Sequence, residues 1–169
     1  MTATRREFNL STLALLGAAA APGAVAAIPA SYKRWVLASR PAGKPTADNF
    51  RLEEVVVPTP GDGQVLLKTR YLSLDPYMRG RMYDRKSYIS PFQLGMALEG
   101  GVVGRVIESR KGPFQVGDFV LGMQGWREYF VSDGQGLNKI DPGLAPIQSY
   151  LGTFGMPGLT AYSGLLYIG

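Results

Sequence analysis

A chain of 169 residues with 46% hydrophobic side chains, 22 Gly, 12 Pro and 11% aromatics is long enough to bury a core, too apolar for disorder, and too often interrupted by turn formers for a helical bundle. It contains no Cys and no His, which excludes disulfides, thiolate nucleophiles, imidazole acid–base chemistry and the usual zinc ligand sets. The net charge of +5 is spread along the chain without a long basic run, so a solvated surface accounts for it and no nucleic-acid partner is expected.

Residues 1–30 read as an export signal. Arg5 and Arg6 form a charged start, Leu10 to Ala21 a modest apolar stretch, and Ala24-Val25-Ala26 a small-residue cleavage site. Thr4-Arg5-Arg6-Glu7-Phe8 resembles a twin-arginine signal, although Asn9 and Leu10 depart from that pattern. The expected location is therefore periplasmic, with a cytoplasmic protein as the alternative. Stable membrane insertion is not expected, because Pro22-Gly23 breaks the Ala-rich run.

From Tyr32 onward the pattern turns to short β-rich runs separated by Gly and Pro. These are YKRWVLA, FRLEEVVV, QVLLKTRYLSL, GGVVGRVIES, DFVLGM, WREYFVS and LNKI. Strands at this spacing predict a mainly β domain, a sandwich or barrel. Pro58 and Pro60 cannot donate to a central ladder, and Gly61-Asp62-Gly63 suits a reversal. The glycines of GGVVGRV predict a bulge or a close backbone approach. No G-x-G-x-x-G turn for a dinucleotide occurs anywhere in the chain.

YLSLDPYMRGRM, residues 71–82, runs a strand into Asp75-Pro76 and a short helical turn. Asp75 and Tyr77 offer a carboxylate and a phenol two positions apart, suited to a pocket mouth. On residue chemistry alone the plainer reading leads, with Asp75 as a helix cap and Tyr77 and Met78 as core packing. Arg79, Arg81, Arg85 and Lys86 form a basic cluster, to be solvated or to meet an anion. APIQSYLGTF predicts a short helix, and Pro157 suits the first turn of another. There Leu159, Tyr162, Leu165 and Leu166 recur at helical spacing and are expected to share one buried stripe, with docking on the domain's own barrel as one way to cover it.

RWVLASRPAGKPTADNFRLEE, YLSLDPYMRGRM, FQVGDFVLG and LGTFGMPGLTAYSGLL occur in that order. Together they resemble the N-terminal part of the zinc-independent medium-chain dehydrogenase/reductases, the group of prostaglandin, leukotriene and curcumin reductases. The resemblance implies a GroES-like, partly open β-barrel over residues 31–145. Residues 146–169 would be a linker and the first helix of a nucleotide-binding Rossmann domain, missing or truncated here. It implies NADPH as cofactor, reduction of the C=C bond of an enone or quinone, and no metal: zinc-using relatives place a Cys ligand where this chain has Leu72.

Residue by residue, the resemblance puts Asp75 and Tyr77 at the substrate and Met156 and Thr160 beside the cofactor. It assigns no catalytic residue within these 169 positions. Inactivity of the chain alone is expected, as is a partner that covers the apolar stripe, either a second copy or a separate nucleotide-binding domain. A non-catalytic GroES-like module that binds a ligand or partner is the competing reading.

Overall fold

The computed structural model describes residues 27–168. The export-signal reading lies outside the described residues up to position 26. The architecture is mainly β, with two open antiparallel sheets and a few short helices. It matches the expected GroES-like domain.

Every predicted run forms a strand: β1 (Ser31–Leu37), β2 (Phe50–Val56), β3 (Val65–Leu72), β4 (Val102–Ser109), β5 (Phe119–Gly122), β6 (Tyr129–Ser132) and β7 (Asn138–Ile140). β1 and β2 make a two-stranded ribbon, and the other five lie in the order β6-β3-β4-β5-β7. The ribbon joins the segments that precede β4 and β6 through main-chain bonds, with Trp35 N–H donating to the Trp126 carbonyl at 2.9 Å and Leu98 N–H to the Trp35 carbonyl at 3.2 Å. A two-residue side-chain period divides the interior. Val65 and Leu67 of β3 pack with Val102, Val106, Val120 and Phe130 on one face, while Leu66 meets Tyr32 and Tyr129 on the other.

The predicted reversal at residues 61–64 is closed by Gln64 N–H to the Gly61 carbonyl at 3.0 Å, and Gly61 N–H donates to Gln64 Oε1 at 2.8 Å. Register shifts fall in β3 between Leu66 and Leu67 and between Thr69 and Tyr71, the second opposite Gly104 of the glycine-rich strand. Gly100 is a close-approach position, since a Cβ there would sit 2.4 Å from Met78 Cε.

The helices are α1 (Tyr77–Arg81) and α2 (Met156–Ser163), with 3-10 turns at Ala47–Asn49 and Ile147–Leu151 and a wide final turn at Gly164–Ile168. None of the helices among the described residues is long and apolar enough to cross a membrane.

Three sequence expectations need correction. Asp75 does not cap α1 with its side chain: Oδ1 accepts the Ser73 hydroxyl at 2.9 Å, and the main-chain carbonyl takes Met78 N–H instead. Arg81 is not solvated, because its neighbours in the fold supply a carboxylate and a carbonyl that hold it inside. The stripe on α2 and the turn after it is not buried, since Leu159, Tyr162, Leu165 and Leu166 are each more than half exposed.

Candidate active-site cavity

β3 ends at Leu72 and delivers Ser73, whose N–H is pinned to the Gly101 carbonyl at 2.8 Å. The Ser73–Asp75 hydrogen bond then fixes the carboxylate, and Pro76, at φ −56° and ψ −34°, already has helical geometry. α1 therefore starts at a defined point and carries Tyr77 to the edge of a depression. The opposite wall comes from the end of β5, from Asn138 in β7, and from Tyr150, Leu151 and the first turns of α2. Tyr150 is held by donating its hydroxyl to the Asp141 carbonyl at 2.9 Å.

The result is an open cavity of about 500 Å³, within the size range of small-molecule sites. The structure places all four sequence-nominated residues, Asp75, Tyr77, Met156 and Thr160, on its wall. Two segments some eighty positions apart in the chain thus meet at one site. Ser73, Tyr88, Met123, Asn138 and Tyr150 also line it and were not nominated. Tyr88 is 87% exposed on a polar loop that has no periodicity to mark it. Ser73 had a readable signal in its spacing from Asp75, the geometry of a local hydroxyl–carboxylate bond.

Electrostatically the cavity is sparse. Its lining includes one carboxylate, Asp75, and no Lys or Arg. The Tyr77 hydroxyl is buried without a hydrogen-bond partner. Burial, and then the Asp75 carboxylate, push its pKa above the ordinary phenol value, so the group is a neutral donor at physiological pH. Thr160 Oγ1 donates to the Met156 carbonyl at 2.8 Å within α2, which leaves its lone pairs to accept from a ligand. Among the described residues no cluster of three acidic, His or Cys side chains forms a metal site.

Residues 33–140 match the family described as the N-terminal domain of oxidoreductase. The chain is 56% identical over 137 residues to the NADPH-dependent curcumin reductase of Escherichia coli (strain K12), a match covering 81% of this chain and 40% of that protein. Prostaglandin reductase 1 of Rattus norvegicus is 41% identical over 139 residues, covering 80% and 40% respectively. Among solved structures, CurA from Vibrio vulnificus in complex with NADPH superposes with a TM-score of 0.74 at 47% identity, over 79% of this chain and 40% of that one. The chain thus spans about two fifths of the length of these relatives.

Proposed function

The chain belongs to the family of N-terminal oxidoreductase domains, and from that premise we propose that it supplies the substrate-side wall of an NADPH-dependent reductase of enone C=C bonds. The observation that carries this reading is the convergence of Asp75, Tyr77, Met156 and Thr160 on one largely apolar cavity. Its named relatives are NADPH-dependent curcumin reductase and prostaglandin reductase, and another is 2-alkenal reductase (NADP(+)-dependent) of Nicotiana tabacum.

The cavity fits part of the cofactor. Its size and apolar wall suit a flat nicotinamide ring beside a small conjugated substrate, where Met156 would offer an apolar surface and Thr160 Oγ1 a hydrogen-bond acceptor. It offers no cation to the cofactor's phosphates, so those groups need residues elsewhere. When bound, the reduced nicotinamide supplies the reducing equivalent. The chain's own contribution is position and polarity. Tyr77 holds a neutral, buried O–H that no protein acceptor uses, and a small turn of its ring toward the cavity would let it donate to the substrate oxygen on which negative charge develops. The Asp75 carboxylate, held by Ser73, adds to the burial that raises the phenol's pKa, and the Asp75 main-chain carbonyl takes Met78 N–H at the entry to α1.

Because this wall is one side of a cleft, the reading expects no turnover by the 169-residue chain alone. The test joins the chain to the remaining three fifths of the E. coli relative and follows NADPH oxidation with a small enone. The expected result is turnover by the joined protein, an inert chain by itself, and a loss of about tenfold to a hundredfold with Tyr77→Phe. Reduction by the 169-residue chain unaided, or a folded, NADPH-binding fusion that turns over no enone, overturns the reading. Enone binding without turnover in that fusion is the outcome expected of a non-catalytic module.

A further inference from the structure

A second cavity, of about 530 Å³, opens beside the loop that carries Tyr88, with Arg81, Ser90, Gln93, Met96, Glu99 and Arg127 in its wall. Its two arginines are in opposite states. Arg81 is 6% exposed and paired: Nε donates to the Ser90 carbonyl at 2.8 Å, an Nη donates to Glu99 Oε2 at 2.6 Å, and the guanidinium lies 4.2 Å from the Phe92 ring centroid. Arg127 is half-buried. Its Nε–H is buried without an acceptor, and among the described residues no carboxylate stands within ion-pair distance of it.

Burial holds the pKa of that guanidinium below its ordinary value; Tyr32 and Glu99 pull the other way, and the neighbouring charge of Arg34, itself paired to Glu53 at 2.8 Å, adds to the cost. An anion at the outer edge of the guanidinium adds charge-assisted hydrogen bonds that no described residue supplies.

We propose that this cavity is a binding site for a small aliphatic monocarboxylate, held by the Arg127 guanidinium with its apolar body against the loop. The carboxylate matches the planar fork. Phe92, Met96 and Ala97 give the apolar body a surface, and the Ser90 hydroxyl and Gln93 amide supply further donors. Glu99, on the same wall, repels a dianion more than a monoanion, which favours carboxylate over phosphate. The site is separate from the tyrosine-lined cavity. Tyr88 faces that one, and Ile89 and Ser90 face this one.

The probe is butyrate, titrated into the ¹⁵N-labelled chain at constant ionic strength against chloride. The expected result is a saturable shift of the Arg127 Nε–Hε resonance, with that of Arg81 nearly still. Arg127→Gln, followed by the fluorescence of the adjacent Trp126, is expected to weaken binding about tenfold, the loss of roughly one charge-assisted bond. A shift at Arg127 no larger and no more saturable than at the exposed Arg51 and Arg110 overturns the site, as does unchanged affinity in Arg127→Gln. Inorganic phosphate binding as tightly as butyrate overturns the carboxylate assignment. Should Arg127→Gln not fold, the resonance titration of the unmodified chain decides alone.

Discussion

Tyr77 is a phenol whose ring packs against the core while its hydroxyl lacks any acceptor. A buried unmade hydrogen bond costs about 1–3 kcal/mol, so removing the hydroxyl relieves a penalty in the free protein. Tyr77→Phe is therefore expected to leave urea stability unchanged or to raise it by about 1 kcal/mol, even as it lowers turnover in the joined enzyme. A structural tyrosine would lose both. The same residue gives a pH signature. Its folded pKa lies above the ordinary value, so in alkali the folded state keeps a proton that the unfolded chain has released. Stability then falls as pH rises through the unfolded phenol value of about 10. Tyr77→Phe should show a shallower alkaline loss in urea midpoints, and an identical slope would mean that the phenol is not buried.

At the scale of elements, the strand set was legible because each run carries β-branched residues between Gly or Pro stops. The period of two even separates Leu66 from Val65 and Leu67 on the two faces of β3. What stayed hidden is non-local. Nothing in the spacing near Arg81 announces that Glu99 and Ser90 close on it from positions 18 and 9 residues further on. Likewise, helical spacing marks an apolar stripe on α2 without saying whether anything covers it. Gly125 is another such case. It sits at φ +73°, and a Cβ there would lie 1.8 Å from the Leu98 carbonyl oxygen, where the ribbon crosses the sheet and Trp126 N–H donates to that carbonyl at 2.8 Å. Gly125→Ala must shift backbone against backbone as well as adopt a disfavoured φ, and is expected to cost about 3 kcal/mol or more. Thermal unfolding followed by Trp fluorescence measures it. A loss near 1 kcal/mol would show that the crossing can relax.

At the scale of the whole molecule, the two ends of the chain carry the remaining predictions. We propose export for residues 1–30, and Arg5→Lys with Arg6→Lys should leave the protein in the cytoplasmic fraction while an unaltered copy reaches the periplasm, since the receptor reads the paired guanidinia and not charge alone. The other end, that of the described chain, is an apolar surface. Met156, Leu159, Tyr162, Leu165, Leu166, Tyr167 and Ile168 are all more than half exposed, a contiguous run on α2 and the turn after it, beside the rim of the tyrosine-lined cavity. Apolar surface of that extent facing water favours association, by about 25 cal/mol for each Å² removed from solvent. The 169-residue chain is therefore expected to show concentration-dependent association in sedimentation velocity. Leu159→Glu with Leu165→Glu places two charges in the middle of the run without touching the sheet cores, so it should yield a monomer with unchanged thermal stability. A wild-type chain that stays monomeric at high concentration would mean that this face is covered by the protein itself, and the cavity beside it would then be more enclosed than its open rim shows.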